Sequence, residues 1–280
     1  MPSYILSSNH QGGHTVLLTA RNESHKTYTW WSFLCLASVV NIALWAWVIL
    51  TYQNTSSFSY VQSVLSGIYV AVCAFRSFYP RIDLERYCLH DHPLSSVALG
   101  RTCATIAEIC FSIQLAIILY QLGLSLDSLL VTYVAYAIVP IIVLAQLFCW
   151  HAMLTLNHFW HGMEEFAWVV MLALLAACFA FGLFVFTGYQ QALMLLGVVS
   201  CAICAWIMLF VDIPMYLTRR SQHQPEDLLD VKTGIKDALR RRVHTNDWGI
   251  WKKEVIWITG YFTFGVWLSI AMVVVEFQGA

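Results

Sequence analysis

The chain has 280 residues, of which 59% are hydrophobic and only 11% are charged, less than half of the roughly 25% charged residues typical of a soluble domain. Lys and Arg nearly balance Asp and Glu, for a formal net charge of -1, so the positive excess that favours nucleic-acid binding is absent. The composition argues against an ordinary soluble domain or a nucleic-acid-binding module. It predicts an integral multi-pass membrane protein surrounded by membrane lipids.

Seven apolar segments follow a polar N-terminal tail of residues 1–29, and each is long enough to cross a hydrocarbon core of about 30 Å. The sequence therefore predicts an all-α fold, in which residues 30–280 form a single domain of seven transmembrane helices. The predicted spans are residues 30–51, 60–79, 96–121, 127–151, 159–187, 190–216 and 254–275.

The distribution of positive charge predicts the orientation of these spans. All fifteen Lys and Arg lie in the N-terminal tail, around the connection of spans two and three, or between spans six and seven. The loops 52–59, 122–126 and 188–189 contain none. Because Lys and Arg accumulate on the cytoplasmic side, we expect a cytoplasmic N-terminus and an external or lumenal C-terminus. This orientation is inverted relative to G-protein-coupled receptors and argues against that class.

The cysteines favour packing over disulfides. Eight of the nine, including Cys149, lie in apolar segments, where a free thiol behaves as a small hydrophobic side chain. Only Cys88 lies in a polar loop.

The loop between spans two and three is rich in ionisable residues, all on the predicted cytoplasmic side. Such groups could supply metal ligands or act as acids and bases, whereas a short solvated loop with internal ion pairs explains them equally well. They are Asp83, Glu85, His90, Asp91 and His92.

Span three carries a polar stripe. Arg101, Thr105 and Glu108 are spaced at i, i+4 and i+7, which places them on one face of a helix. Glu108 is expected near the middle of the bilayer, where an ionisable side chain is costly and is a functional candidate by default. We therefore predict catalytic roles for Glu108, as acid or base, and for Arg101, as the group that holds an anionic or carbonyl part of a substrate. The alternative is that the two residues only brace neighbouring helices.

The junction of spans four and five concentrates three histidines and two carboxylates within residues 151–165. If Asn157 caps the fifth helix, His158, His161 and Glu165 share one face, and His151 could approach them across the turn. Imidazole and carboxylate ligands suit Zn or Fe. The sequence thus predicts a candidate metal site of His151, His158, His161 and Glu165, with solvated or hydrogen-bonded histidines as the alternative.

The last two predicted features lie near and after the end of span six. Asp212 precedes Pro214 at the inner end of this span and is a further catalytic candidate. Residues 226–243 then place apolar side chains at helical spacing among charged ones, which predicts an amphipathic helix on the cytoplasmic surface of the membrane.

Three functions are compatible with these features. Nearly all candidate groups lie in the predicted cytoplasmic half, and a conducting pathway would need polar lining through the full thickness. This favours a membrane-embedded enzyme that acts on a lipid or hydrophobic small molecule, with or without a metal. The alternatives are a proton-coupled transporter or channel that uses Glu108 and Arg101, and a scaffold or receptor-like protein.

Overall fold

The computed structural model describes residues 10–52, 57–83, 85–222 and 224–275. Over these ranges the chain is almost wholly helical, and seven helical segments are long and apolar enough to cross a membrane, which confirms the predicted number of spans. The first nine residues of the predicted tail and residues 276–280 lie outside the described ranges. The seven segments are Glu23–Thr51, Ser57–Phe78, Val97–Ser125, Leu129–Thr155, His158–Gly182, Gly188–Gln222 and Val255–Val274.

Some spans are built from more than one helical piece. A π-helical turn, Met208–Asp212, continues the sixth span, and a second one, Tyr261–Gly265, lies within the seventh. The helices are α1 His10–Thr51, α2 Ser57–Phe78, α3 Val97–Ser125, α4 Leu129–Thr155, α5 His158–Gly182, α6 Gly188–Ile207, α7 Ile213–Gln222, α8 Val231–Arg240, α9 Trp248–Trp251, α10 Val255–Gly260 and α11 Val266–Val274.

A tight turn between α4 and α5 positions the histidine-rich junction. Leu156 closes α4 in the left-handed conformation, with φ of 56°. Asn157 then caps α5, as the sequence predicts, because its side-chain oxygen accepts a hydrogen bond from the Phe159 amide at 3.2 Å. The short turn makes α4 and α5 antiparallel neighbours, so residues near the end of α4 lie beside those at the start of α5.

Helices that follow one another in the chain pack side by side from α1 to α6, and α11 returns to pack against α1, α2 and α3. Buried apolar side chains fill two large cores, one represented by Leu119 and Met171 and the other by Tyr69 and Trp251, and a small third cluster around Met153. Large apolar side chains also remain widely exposed, including Phe184 at 88%. A contiguous exposed apolar surface is typical of helices that face lipid.

The loop that follows α2, the turn between α4 and α5, and residues 224–254 lie together at one end of the bundle, which we call the basic end. A small three-stranded sheet joins two of these segments there. Strand β1, Arg81–Ile82, is antiparallel to β2, Tyr87–Cys88, with Arg81 opposite Cys88. Strand β3, Val243–His244, is parallel to β2. The sheet ties the connection of the second and third spans to the one before the seventh.

Arg86 fastens this sheet to the bundle. Its backbone is left-handed, with φ of 62°, and its side chain is buried. The guanidinium donates to Asp237 Oδ2 at 2.9 Å, to the Met153 carbonyl at 2.8 Å and to the Asp83 carbonyl at 3.0 Å. One side chain thus connects the loop, α8 and the end of α4.

The amphipathic helix predicted over residues 226–243 is observed as the shorter α8. The helix begins after Asp230, because the Asp230 carboxylate accepts hydrogen bonds from the Lys232 and Thr233 amides and caps α8. The helix docks on α3 and α4 through its small residues Gly234 and Ala238, which are buried. Its exposed apolar stripe consists of Val231, Ile235 and Leu239.

Candidate functional site

A buried ion pair of two α3 residues faces α4. Arg101 Nη2 donates to Glu108 Oε1 at 2.8 Å and to Gln146 Oε1 at 2.6 Å. The Gln146 amide in turn donates to Glu108 Oε2. Arg101 and Glu108 are 8% and 9% exposed. Each buried charge is therefore both paired and hydrogen-bonded, as a buried ion pair requires.

Hydrogen bonds from α4 extend the polar stripe that the sequence predicts on α3. Trp150 Nε1 donates to Thr105 Oγ1 at 3.0 Å, and Thr105 Oγ1 donates to Gln146 Oε1 at the same distance. Sequence reasoning missed Gln146 and Trp150. The signal was available for Gln146, because an amide in the middle of an apolar span needs a partner.

A second buried group brings together one thiol, one imidazole and one carboxylate. His161 Nδ1 lies 3.0 Å from Glu164 Oε2, and ligand atoms of Cys149, His161 and Glu164 all lie within 4.8 Å of one another. His161 is 7% exposed and Glu164 is 8% exposed. These residue types are the common ligands of zinc.

The His161 ring is held on one face as well as at its edge. It stacks on Tyr216 of α7, with ring centroids 5.1 Å apart, and His158 lies 6.3 Å away. His161 Nε2 is buried and has no hydrogen-bond partner among the described residues. Since Nδ1 faces a carboxylate, a neutral ring carries its proton on Nδ1 and its lone pair on Nε2.

The predicted metal ligands are only partly brought together. His161 belongs to the buried group and His158 adjoins it, whereas His151 is exposed and its ring packs against Trp160 at 5.0 Å. Glu165 is half-buried, and Glu164 is the residue that contacts His161.

Asp212, the third catalytic candidate, lies half-buried in the π-helical turn of the sixth span. Glu165 lies close enough to Glu164 and Asp212 to interact with both electrostatically. Glu165 and Asp212 therefore flank the buried group. Cys149, which the sequence suggests is only a packing residue, is a member of it.

The ion-pair group and the thiol, imidazole and carboxylate group form one polar site in the half of the bundle next to the basic end. Gln146 and Cys149 lie one turn apart on α4, so the first group adjoins the second. Arg101 is also close enough to Cys149 and Glu164 to interact with both electrostatically. The site therefore combines side chains of α3, α4, α5 and α7 that no single stretch of sequence contains.

A separate polar cluster lies farther along α3, toward the opposite end of the bundle. Ser269 Oγ donates to Gln114 Oε1 at 2.6 Å, and Gln62 Nε2 donates to the Gln114 carbonyl at 3.0 Å. Ser269 also contacts Ser66 at 3.2 Å. The polar residues inside the bundle thus continue past Glu108, along the contact of α2, α3 and α11.

Ion pairs account for much of the charged loop between the second and third spans. Arg81 Nε donates to Asp83 Oδ1 at 2.7 Å, and Arg76 Nη2 lies 3.8 Å from the same oxygen. Burial alone would raise the pKa of Asp83, but the two guanidiniums hold it well below its usual range.

The other ionisable residues of this loop also have local contacts. They are Glu85, 3.3 Å from Arg219; His90, whose ring contacts Trp31; Asp91, 3.2 Å from Arg242; and His92, whose ring accepts from the Leu94 amide.

Comparison with known proteins places this chain in no family: no family model, curated protein or solved structure matches it.

Proposed function

We propose that the protein is a membrane-embedded, metal-dependent enzyme that acts on a lipid or another hydrophobic small molecule, with its site in the basic half of the bundle. The observation that carries this proposal is the convergence of Cys149, His161 and Glu164, whose ligand atoms all lie within 4.8 Å of one another among buried residues. A buried thiol, imidazole and carboxylate grouped in this way are more typical of a reactive centre than of a packed core.

The ligand set supports zinc as the cofactor, in preference to iron. Thiolate is a soft ligand that suits Zn²⁺, and imidazole and carboxylate are its other common partners. Three protein ligands leave a fourth position open, which is typical of catalytic zinc. Cys149, His161 and Glu164 would hold the ion, which would supply polarisation of a carbonyl or phosphoryl oxygen.

The neighbouring ion pair supplies the acid or base and a substrate contact. Arg101 and Gln146 fix the Glu108 carboxylate in one orientation, which prepares it for proton transfer at a defined position. Arg101 Nε is buried without a hydrogen-bond partner in the described chain. It remains available to a carbonyl or anionic group of the substrate.

The apolar surface of the bundle supports the proposal that the substrate is hydrophobic. An apolar groove of about 360 Å³ lies between α3 and α4 in the half of the bundle opposite the basic end, past Glu108 along α3 and away from Cys149. Its aromatic lining includes Phe58, Tyr120 and Tyr136. A molecule dissolved in the bilayer reaches such a surface laterally, without passing through water.

The proposed orientation rests on charge. When the seven spans are followed along the sequence, all fifteen Lys and Arg fall on the side of the basic end. Cytoplasmic loops carry such an excess of positive charge. The N-terminus and the site are therefore proposed to face the cytoplasm, with the C-terminus external or lumenal.

A conversion assay tests the enzymatic proposal even while the substrate is unidentified. The purified protein in nanodiscs would be incubated with zinc and the pooled lipids of its source cells, and the lipids would be compared by mass spectrometry. We expect at least one lipid to be consumed by the wild type and by His25→Ala, which removes an exposed imidazole on α1, but not by His161→Ala. Identical lipid profiles for wild type and His161→Ala would contradict the proposal.

One observation favours a second candidate, a proton-coupled transporter or channel in which Glu108 takes up the proton and Arg101 is its gating partner. The cluster of Gln62, Gln114 and Ser269 extends the polar interior beyond Glu108, as a pathway across the membrane requires. In proteoliposomes loaded with a pH-sensitive dye, this candidate predicts protein-dependent acidification that Glu108→Gln abolishes. Dye signals equal to those of empty liposomes would exclude it.

A further inference from the structure

We propose that the start of α3 binds a phosphoryl group, so that the substrate of the proposed enzyme is a phosphate-bearing amphiphile. The inference rests on the proposed function for its catalytic meaning, but the binding itself is measurable without any turnover. It is carried by three arginines that surround a single loop carboxylate and by buried hydrogen-bond donors that have no acceptor.

The arginines converge on Asp83. Arg81 and Arg76 both reach its Oδ1 atom, and Arg101 is close enough to act on the same carboxylate electrostatically. Glu108 and Glu164 both act on Arg101, so the positive excess lies with Arg76 and Arg81, which share the single carboxylate of Asp83. This excess of one charge is held by side chains as buried as Arg81, which is only 4% exposed.

Each of these arginines also has an unused donor. Arg76 Nε, Arg81 Nη2 and Arg101 Nε are buried, and none has a hydrogen-bond partner within the described ranges. Leaving a buried charged donor unpaired is costly. Guanidinium groups bind phosphate oxygens through paired N–H donors, so an oxyanion would meet several of these requirements together.

The backbone at the start of α3 adds to the attraction for an anion. The Arg81 side chain lies against the first turn, where its Nη1 donates to the Ser96 carbonyl, and a Cβ atom on Gly100 would come within 2.7 Å of it. Ser95 Oγ is another buried group without a partner in the described structure. The N-terminus of a helix carries partial positive charge and favours phosphate.

The position of this site fits a substrate held by its polar end. Arg101 lies seven positions before Glu108 on α3, a backbone rise of about 10 Å that the Arg101 side chain spans to reach the Glu108 carboxylate. A phosphoryl group at the start of α3 would lie near the basic end, while the rest of the molecule extends toward Glu108 and His161. The same chemistry could come from a lipid headgroup or from a soluble phosphate.

Binding of defined phosphates to the full-length protein in maltoside detergent tests the inference. Inorganic phosphate, pyrophosphate and a short-chain phosphatidic acid would be titrated while the thermal midpoint of unfolding is followed. We expect saturable stabilisation of the wild type, with an apparent affinity reduced about tenfold or more in Arg76→Gln. Arg241→Gln, which alters an exposed arginine at the same end, is the matched control and should bind as the wild type does.

A second variant gives an effect of the opposite sign. Asp83→Asn removes the negative charge that competes for Arg76 and Arg81, so it should bind phosphate more tightly than the wild type. Loss of a purely structural contact would not raise the affinity. Size-exclusion profiles and circular dichroism would establish that each variant is folded.

The outcomes separate the competing conclusions. Stronger binding of phosphatidic acid than of inorganic phosphate supports an amphiphilic substrate, whereas binding of inorganic phosphate alone overturns that part of the inference. No saturable stabilisation by any of the three ligands, or equal binding by wild type and Arg76→Gln, overturns the site. Normal zinc content in that case would leave the proposed enzyme intact, so the two failures are distinguishable.

Discussion

His161 Nδ1 lies 3.0 Å from Glu164 Oε2, one turn along the same helix, so the two atoms are near enough to be ligands of one metal ion. A carboxylate that accepts from one imidazole nitrogen sets the tautomer and the ring orientation. The contact also brings the Glu164 carboxylate close to the Cys149 thiol on the facing helix. The chemistry of the site therefore depends on Glu164 in two ways, as the hydrogen-bond partner of His161 without metal and as the ligand beside His161 Nδ1 when zinc is bound.

Replacing Glu164, with Glu165 as the comparison, tests how far zinc binding depends on the Glu164 carboxylate. We expect Glu164→Gln to weaken zinc binding about tenfold or more, because the amide is a poorer ligand and a poorer partner for the imidazole. Glu165→Gln is the matched change one residue along α5 and should alter zinc affinity much less. Competition with a chromophoric zinc chelator measures both. Equal losses in the two variants would argue against the assignment to Glu164.

The ion pair of Arg101 and Glu108 predicts a non-additive effect on stability. Glu108→Leu or Arg101→Leu alone leaves the other residue buried without its partner and should lower the free energy of unfolding by about 3–5 kcal/mol. Replacing both residues by Leu removes both charges and should cost much less than either single change. Unfolding in detergent, followed by circular dichroism, compares the variants. A double variant as unstable as the sum of both single changes would show that the pair is not coupled.

Close packing of α8 on the bundle depends on one glycine. A Cβ atom on Gly234 would overlap the Leu154 carbonyl oxygen, so Gly234→Ala should displace α8 from the end of α4 and lower the thermal midpoint. Gly260→Ala is the control, because a Cβ there meets no atom within 4 Å and alanine is the better helix former by about 1 kcal/mol. A Gly234→Ala protein as stable as Gly260→Ala would contradict the docking of α8.

The lowered pKa of Asp83 predicts how one contribution to stability depends on pH. Because Arg81 and Arg76 stabilise the ionised form, this contribution is complete above the unfolded-state pKa of about 3.9 and is lost as the pH falls through the folded-state value. Asp83→Asn should therefore lower the thermal midpoint by a constant amount between about pH 5 and 7. That difference should shrink below about pH 4. A difference that does not depend on pH would contradict the ion pairs.

The number of spans could be predicted from the sequence because each transmembrane helix must match the bilayer by itself. The stripe on α3 could be predicted for the same kind of reason, since Arg101 and Glu108 share a face within one helix. Only the structure shows which side chains of the neighbouring helix α4 contact this stripe. Gln146 and Cys149 join these residues only because of the rotation of α4 in the bundle, which one sequence does not specify.

At the junction of α4 and α5, the sequence likewise does not specify which side chains meet. Glu164 and Glu165 are three and four residues from His161, so the spacing allows either carboxylate to reach the imidazole. Packing of α5 decides in favour of Glu164. His151 lies two residues beyond Cys149 on α4, which turns it by about 200° around the helix axis. This rotation explains why His151 is exposed while Cys149 is buried.

The most direct measurement of the central claim is the zinc content of purified protein, by elemental analysis, for the wild type and for Cys149→Ser. Cys204→Ser is the matched control, since it removes an exposed thiol on α6. We predict near-stoichiometric zinc in the wild type and in Cys204→Ser, and its loss in folded Cys149→Ser. Folded wild-type protein without zinc after purification in zinc-containing buffer, or equal zinc in all three proteins, would contradict the claim.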